Sequence, residues 1–436
     1  MDKLTSLLEE KLMPLASKIA KQKYLKAISN TFMSIIPFMT IGSIALVLVS
    51  PCASSADFEP GFAQSFFAAW EALADAITLP VGSIYTICME CLSLFVAAGV
   101  GYFLSQHYKM KGFTPTILAL VSFMILGGLY GGYDKTFDYA GGTGLFTAIF
   151  AAIVSVELLR FLLDKNFGKI SLEGQGVPEA LTESFAMLFP TVVVLLVMSL
   201  IHTLVSTVTG ATFPALMQII MSPLLKATNS IFGGILLVFL VMTFWWFGIH
   251  DTAITGPMGA FWAVALSANV AAYVGGAAAN NLPYVITEPF WWFFIMIGGS
   301  GATFGLVFIL LFACKSKQLK TVGKLGLIPA FFNINEPIIF GVPMMMNPLM
   351  YIPFVGVPVL NCIIAYVAIA THLINGTIAY PGWNLFCPVA ALISTVDVKA
   401  LILVLILIVV DAAFYFPFIK VLDKQKVAEE AAAAQE

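Results

Sequence analysis

Glu336 is the one carboxylate between Lys324 and Asp397, and it sits in apolar sequence long enough to enter a bilayer. An ionisable group in that setting is expensive, so function is the default reason for keeping it. Its surroundings read Phe331-Phe332-Asn333-Ile334-Asn335-Glu336-Pro337-Ile338-Ile339-Phe340-Gly341. Pro337 lacks an N–H and pushes the residue before it out of the helical region. The acid is therefore predicted at a helix break, where freed backbone groups can also bind a ligand.

A second polar focus is Trp245-Trp246-Phe247-Gly248-Ile249-His250-Asp251. No Lys or Arg occurs from Ala227 to Cys314, so His250 is isolated from formal positive charge. It can serve as a hydrogen-bonding group or proton carrier, or it can satisfy a helix–helix hydrogen bond. Aromatic residues beside a polar cluster suit a sugar, whose C–H faces stack while its hydroxyls take hydrogen bonds. Trp245, Trp246 and Trp383 fit that demand, the last within the Pro/Gly-broken run Tyr380-Pro381-Gly382-Trp383-Asn384. Trp245 and Trp383 are read as substrate contacts, and Trp291 and Trp292 as membrane-interface residues.

Other motifs carry less chemistry. Glu288, ahead of Pro289, reads first as a charge at a helix N-terminus and second as a binding group. Gly298-Gly299-Ser300-Gly301-Ala302-Thr303 lacks the Walker lysine and reads as close packing of small residues. Of six cysteines, Cys88 and Cys91 have redox or metal spacing, but no nearby His or second pair completes a site. No metal and no cofactor is expected.

The elements that must position these residues follow from composition. The chain is 60% hydrophobic and 10% charged over 436 residues, which defines an all-α polytopic membrane protein. The net charge of -3 is confined to loops and termini, and nucleic acid is not an expected ligand. Apolar runs near 31–50, 83–105, 113–130, 143–162, 184–207, 230–249, 257–278, 290–314, 348–371 and 400–420 predict about ten transmembrane helices. Six lysines from Lys3 to Lys26 precede the first run, whereas 51–82 holds Asp57, Glu59, Glu71 and Asp75 with no Lys or Arg. That asymmetry puts the N-terminus inside and 51–82 in an outer loop, and Lys420, Lys424 and Lys426 put the C-terminus inside. The stretch 325–347, with Gly326, Pro329, Pro337, Gly341 and Pro343, suits a broken re-entrant hairpin.

The predicted organisation is a cytoplasmic amphipathic segment over 1–30, a transmembrane domain over 31–170 and a linker or interfacial helix over 171–183. A second transmembrane domain follows over 184–424, and 425–436 is an Ala/Glu tail expected to be disordered. Polar groups within spans concentrate in the second domain, so chemistry is assigned there and packing or oligomerisation to the first.

These motifs resemble a known family: the membrane component, enzyme IIC, of the phosphoenolpyruvate-dependent sugar phosphotransferase system, lactose/cellobiose/diacetylchitobiose type. The resemblance runs from the Lys-rich start to the last span. It rests on Trp246-Phe247-Gly248-Ile249-His250, on the Gly298 to Thr303 run, and on Phe332-Asn333-Ile334-Asn335-Glu336-Pro337 followed by Met346-Asn347-Pro348. It implies a two-domain fold with re-entrant hairpins and a homodimer in the bacterial cell membrane. It also implies a β-linked disaccharide that takes phosphate on its 6-hydroxyl from a phosphocysteine on a separate cytoplasmic IIB protein, with IIA upstream. Such a chain is a membrane subunit of a phosphotransferase, inactive without IIB. Two departures stand out: Asp251 follows the histidine where the family often has glycine, and the linker reads Val177-Pro178-Glu179-Ala180-Leu181.

On this reading Glu336 holds or deprotonates the 6-hydroxyl, His250 stabilises the incoming phosphoryl group, and Asn333 and Asn335 contact the sugar. The rival from another class is a proton-coupled secondary transporter with Glu336 as the coupling site. A purely structural scaffold is a third reading, opposed by the cost of the buried polar groups.

Overall fold

The computed structural model describes residues 22–51, 54–57, 59–110, 113–128, 139–168, 170, 179–248 and 251–433. All regular structure among them is helical. The first half comprises α1 (Lys23–Val49), α2 (Phe62–Tyr85), α3 (Leu92–His107), α4 (Thr114–Leu126) and α5 (Leu145–Asp164). After α6 (Glu179–Thr209) and α7 (Phe213–Thr228) come α8 (Ile231–Trp246) and α9 (Thr252–Val274). The chain then breaks repeatedly through α10 (Glu288–Phe290), α11 (Phe304–Phe308), α12 (Lys317–Phe331) and α13 (Glu336–Gly341). It closes with α14 (Pro348–Ala370), α15 (Cys387–Thr395) and α16 (Val398–Ala433).

Local chemistry accounts for many of these boundaries. Ser230 opens α8 by accepting from Gly233 N at 3.0 Å, and Asn347 opens α14 by accepting from Leu349 N at 3.0 Å with Pro348 behind it. Each side-chain oxygen satisfies a backbone donor that has no partner within its helix. The first-half helices α1, α3, α4 and α5 pack on one another, and α9 crosses to lie against α1. That last contact is close: a Cβ on Gly256 would stand 1.9 Å from the Ser29 hydroxyl. Only glycine lets the two backbones approach so far.

Seven helices among the described residues are long and apolar enough to cross a membrane, or eight if α7 and α8, bent by 74°, form one span. Several of the ten expected runs instead form short or broken helices, such as the 13-residue α4 and the segment Phe304–Ala313. Two expectations are corrected. The region 51–82, read as an outer loop, contains α2, because Ala- and Phe-rich sequence carries the helix while Glu71 turns back onto Ser55 N at 3.0 Å and Ser55 Oγ at 2.6 Å. The tail from Lys426, read as disordered, is helical to Ala433, because Glu430 finds backbone donors at the start of α12. Of the linker, 171–178 lies outside the described residues and 179–183 already belongs to α6.

Candidate functional site

Three chain breaks in the second half meet at one place: the loop 298–303, the turn 332–335 between α12 and α13, and the segment 380–386 before α15. Two asparagines join them. Asn333, in a left-handed conformation at φ 57°, accepts from Gly298 N at 3.0 Å and from the Cys387 thiol at 3.1 Å. Its amide donates to the carbonyls of Trp383 at 2.6 Å and Leu385 at 3.4 Å. Asn335 donates to Ser300 O at 2.7 Å and Thr303 Oγ1 at 2.8 Å. These bonds satisfy irregular backbone that no helix serves.

The glycine run takes its form from this arrangement. Close packing was expected of it, and close packing is what it provides, as a loop rather than between two helices. Gly299 has φ 100°, and a Cβ there would fall 2.5 Å from Asn335 Cγ. Tyr415 of α16 anchors the loop by donating to Gly301 O at 2.7 Å.

Around the junction lies a cavity of about 260 Å³. Glu336, the first residue of α13, stands at its edge with its side chain accessible. Trp245, Trp383, Asn333 and Asn335 also line it, so five of the six expected site residues are brought together. His250 lies outside the described residues, although Trp245 and Asp251 on either side of it line the cavity. The Asp251 carboxylate accepts from Ser300 Oγ at 2.9 Å. Trp246 is occupied elsewhere, donating to Asn347 O at 3.2 Å and packing edge-on against Tyr351.

The pair Trp291 and Trp292 departs from the expected interfacial position. Trp291 is 1% exposed and stacks at 5.3 Å on Trp262, whereas Trp292 lines the cavity 6.0 Å from Trp383. Glu288 begins α10, as expected of a charge at a helix N-terminus, and it also lines the cavity. The Tyr380 hydroxyl and Trp292 indole N–H lean on its carboxyl without closing a hydrogen bond of normal geometry. The Trp262 indole N–H, also on the cavity wall, is buried without a hydrogen-bond partner among the described residues.

Tyr380, Trp262 and Ser300 escaped the sequence reading. Tyr380 could have been found, since it shares the Pro/Gly-broken run with Trp383; Trp262 sits in ordinary small-residue helix and carried no signal. The assembled site combines aromatic faces, three carboxylates in Asp251, Glu288 and Glu336, and donors with unused capacity. Such a lining takes a ligand that is apolar on its faces and rich in hydroxyls at its rim.

Fold and cavity together define a helical, membrane-embedded protein with a ligand site at the meeting of broken segments. Residues 29–358 match the family model "Phosphotransferase system, EIIC". The cellobiose-specific EIIC component of Geobacillus stearothermophilus is 34% identical over 99% of this chain and 97% of its own. The lichenan permease IIC component of Bacillus subtilis (strain 168) is 31% identical over 99% and 96%. The crystal structure of ChbC, the IIC component of the N,N'-diacetylchitobiose-specific phosphotransferase system, superposes with a TM-score of 0.88 at 31% identity, covering 98% of this chain and 99% of ChbC. The chain belongs to the EIIC family of the phosphotransferase system.

Proposed function

We propose that this protein imports a β-linked disaccharide of the cellobiose, diacetylchitobiose or lactose type and presents its 6-hydroxyl to a separate phosphorylated IIB protein. The observation that carries the reading is the cavity in which Trp245 and Trp383 meet the Glu336 carboxyl. The indole faces stack on the sugar rings, and Tyr380, Trp262 and Trp292 donate to ring or hydroxyl oxygens. The names of the relatives, which cover cellobiose, lichenan and diacetylchitobiose, support a β-linked substrate.

In the reaction, the 6-hydroxyl oxygen attacks phosphorus on the IIB phosphocysteine, an O–P bond forms, and the S–P bond breaks to release thiolate. Glu336 takes the hydroxyl proton. His250, protonated, stabilises charge on the transferring group. Asn333 and Asn335 act by holding the three chain breaks in register, since their side-chain donors are directed at backbone and at Thr303. Phosphorylation traps the sugar, so the import needs no coupling ion.

The proposed arrangement has about ten crossings with re-entrant hairpins, both termini cytoplasmic, an N-terminal dimerisation domain and a C-terminal substrate domain. The Lys-rich ends support that orientation. The test uses proteoliposomes loaded with phosphorylated IIB and supplied with a panel of β-linked disaccharides. Sugar phosphate should accumulate inside only with IIB and should survive a protonophore. Uptake that ignores IIB and collapses with the proton gradient would replace this reading with the secondary transporter.

A further inference from the structure

The segment that carries Glu336 is fastened at its far end by the last helix of the chain. Three side chains on one face of α16 grip residues 313–318, immediately before and within the first turn of α12. Lys420 Nζ donates to Ala313 O at 2.6 Å. Asp423 accepts from Lys315 N at 2.9 Å and from Ser316 N at 2.8 Å. Glu430 accepts from Ser316 Oγ at 2.7 Å, Gln318 N at 2.9 Å and Lys317 N at 3.1 Å.

A helix start usually relies on one capping side chain and water. Here Ser316 supplies that cap, accepting from Leu319 N at 3.2 Å, and two distant carboxylates take the preceding four amides. The same helix holds the other end, because Tyr415 bonds Gly301 O and Asn335 bonds Ser300 O in the same loop. The lengths agree. α12 has 15 residues and rises about 22 Å, and the fifteen steps along the helix from Tyr415 to Glu430 rise the same distance.

We propose that Glu430 and Asp423 are positioning residues that set how far Glu336 reaches into the cavity. α16 acts as a strut, with the loop at one end and the base of α12 at the other. Releasing the base lets α12 slide or tilt, and Glu336 moves while Trp245 on α8 and Trp262 on α9 stay in place. The inference rests on the proposed role of Glu336 at the sugar hydroxyl.

Glu430 is the residue to change, because it lies three residues from the end of α16 and outside the packed core. In the full chain, Glu430→Ala should lower the rate of sugar phosphorylation by IIB roughly tenfold, as a displacement short of 1 Å would. Sugar affinity, read by Trp fluorescence, should change by less than about twofold, the split expected when a transition-state contact alone is lost. Glu430→Gln keeps a carbonyl oxygen for Ser316 and Gln318 and should restore most of the rate. Equal loss of rate and affinity, no loss, or no rescue by Gln would overturn the proposal.

Hydrogen exchange provides a readout independent of any activity. In Glu430→Ala the amides of Ile338, Ile339 and Val342, beyond the tip, should exchange faster along with those of Lys317 and Gln318. Faster exchange confined to 315–319 would mean the clamp is local and would sink the strut. Failure of the wild type to phosphorylate any sugar would count against the functional reading, while exchange at the tip would still decide the strut.

Discussion

Polar groups at two places in this protein, one in each half, are used in opposite ways. In the first half, the Glu157 carboxylate on α5 accepts from Lys23 at 2.8 Å, from Tyr24 at 2.7 Å, from Arg160 at 3.4 Å, and from the Tyr108 hydroxyl. Arg160 and Lys23 also lie over the Tyr108 ring. One acid thus gathers α1, α3 and α5, and the cluster is closed on itself. At the cavity, Trp262, Trp292 and Tyr380 keep donors that no group among the described residues fully takes, and Glu336 is accessible. A satisfied network fixes structure, whereas buried donors left over in a lined cavity await a partner. The contrast separates a closed cluster from an open cavity, and under the proposed function it assigns packing to the first and ligand to the second, whose lining also takes Ser29, Phe32 and Met33 from α1.

The sharpest way to break that assignment is at Glu336. Glu336→Gln keeps size and hydrogen bonding but removes the base, so phosphorylation should fall about a thousandfold or more while sugar binding persists within about tenfold. Full phosphorylation by the Gln variant would place the chemistry elsewhere. The next largest effect is expected at Asn333, where Ala strands the Gly298 amide and frees the Trp383 and Leu385 carbonyls. The loss should be about 3 kcal/mol in stability together with weaker sugar binding, measured by thermal unfolding in detergent and by titration. Loss of stability alone would show that the three breaks need not be in register for binding.

The first half gives the complementary test. Glu157→Ala leaves Lys23 without its carboxylate and should cost about 2 kcal/mol of stability, with sugar affinity unchanged. Part of the Lys23 and Glu157 side chains reaches solvent, at 30% and 26%, which keeps the figure below that of a fully buried pair. A fall in affinity without a fall in stability would contradict the division between the halves.

How much of this was readable from sequence depends on how local each cause is. The break at Asn333-Ile334-Asn335-Glu336-Pro337 was legible because proline and its predecessor act on their own backbone. Trp245 and Trp383 were legible because each adjoins a polar or Pro/Gly-broken stretch. The helicity of the tail was not, since the partners of Glu430 lie more than a hundred residues away at Ser316, Lys317 and Gln318. The helix α2 was missed for a related reason: four acids suggested a loop, and only the fold shows Glu71 satisfied by Ser55. The roles of Asn333 and Asn335 were half legible. Their presence marked the site, but their bonds run to backbone 35 to 52 residues away.

The smallest expected effect tests the other side of the comparison, the claim that leftover donors are there for a ligand. Trp262 packs on Trp291 at 5.3 Å, and its N–H makes no hydrogen bond among the described residues. Trp262→Phe retains most of the packing surface and deletes only a donor with no partner among the described residues. Stability should therefore stay within about 0.5 kcal/mol, while sugar affinity drops by about 1 kcal/mol, a factor of five or so. The same exchange at Trp246, whose N–H bonds Asn347 O, should do the reverse, lowering stability and leaving affinity alone. If the two tryptophans behaved alike, an unmet hydrogen bond would not mark a ligand contact in this fold, and the contrast between the halves would rest on Glu336 alone.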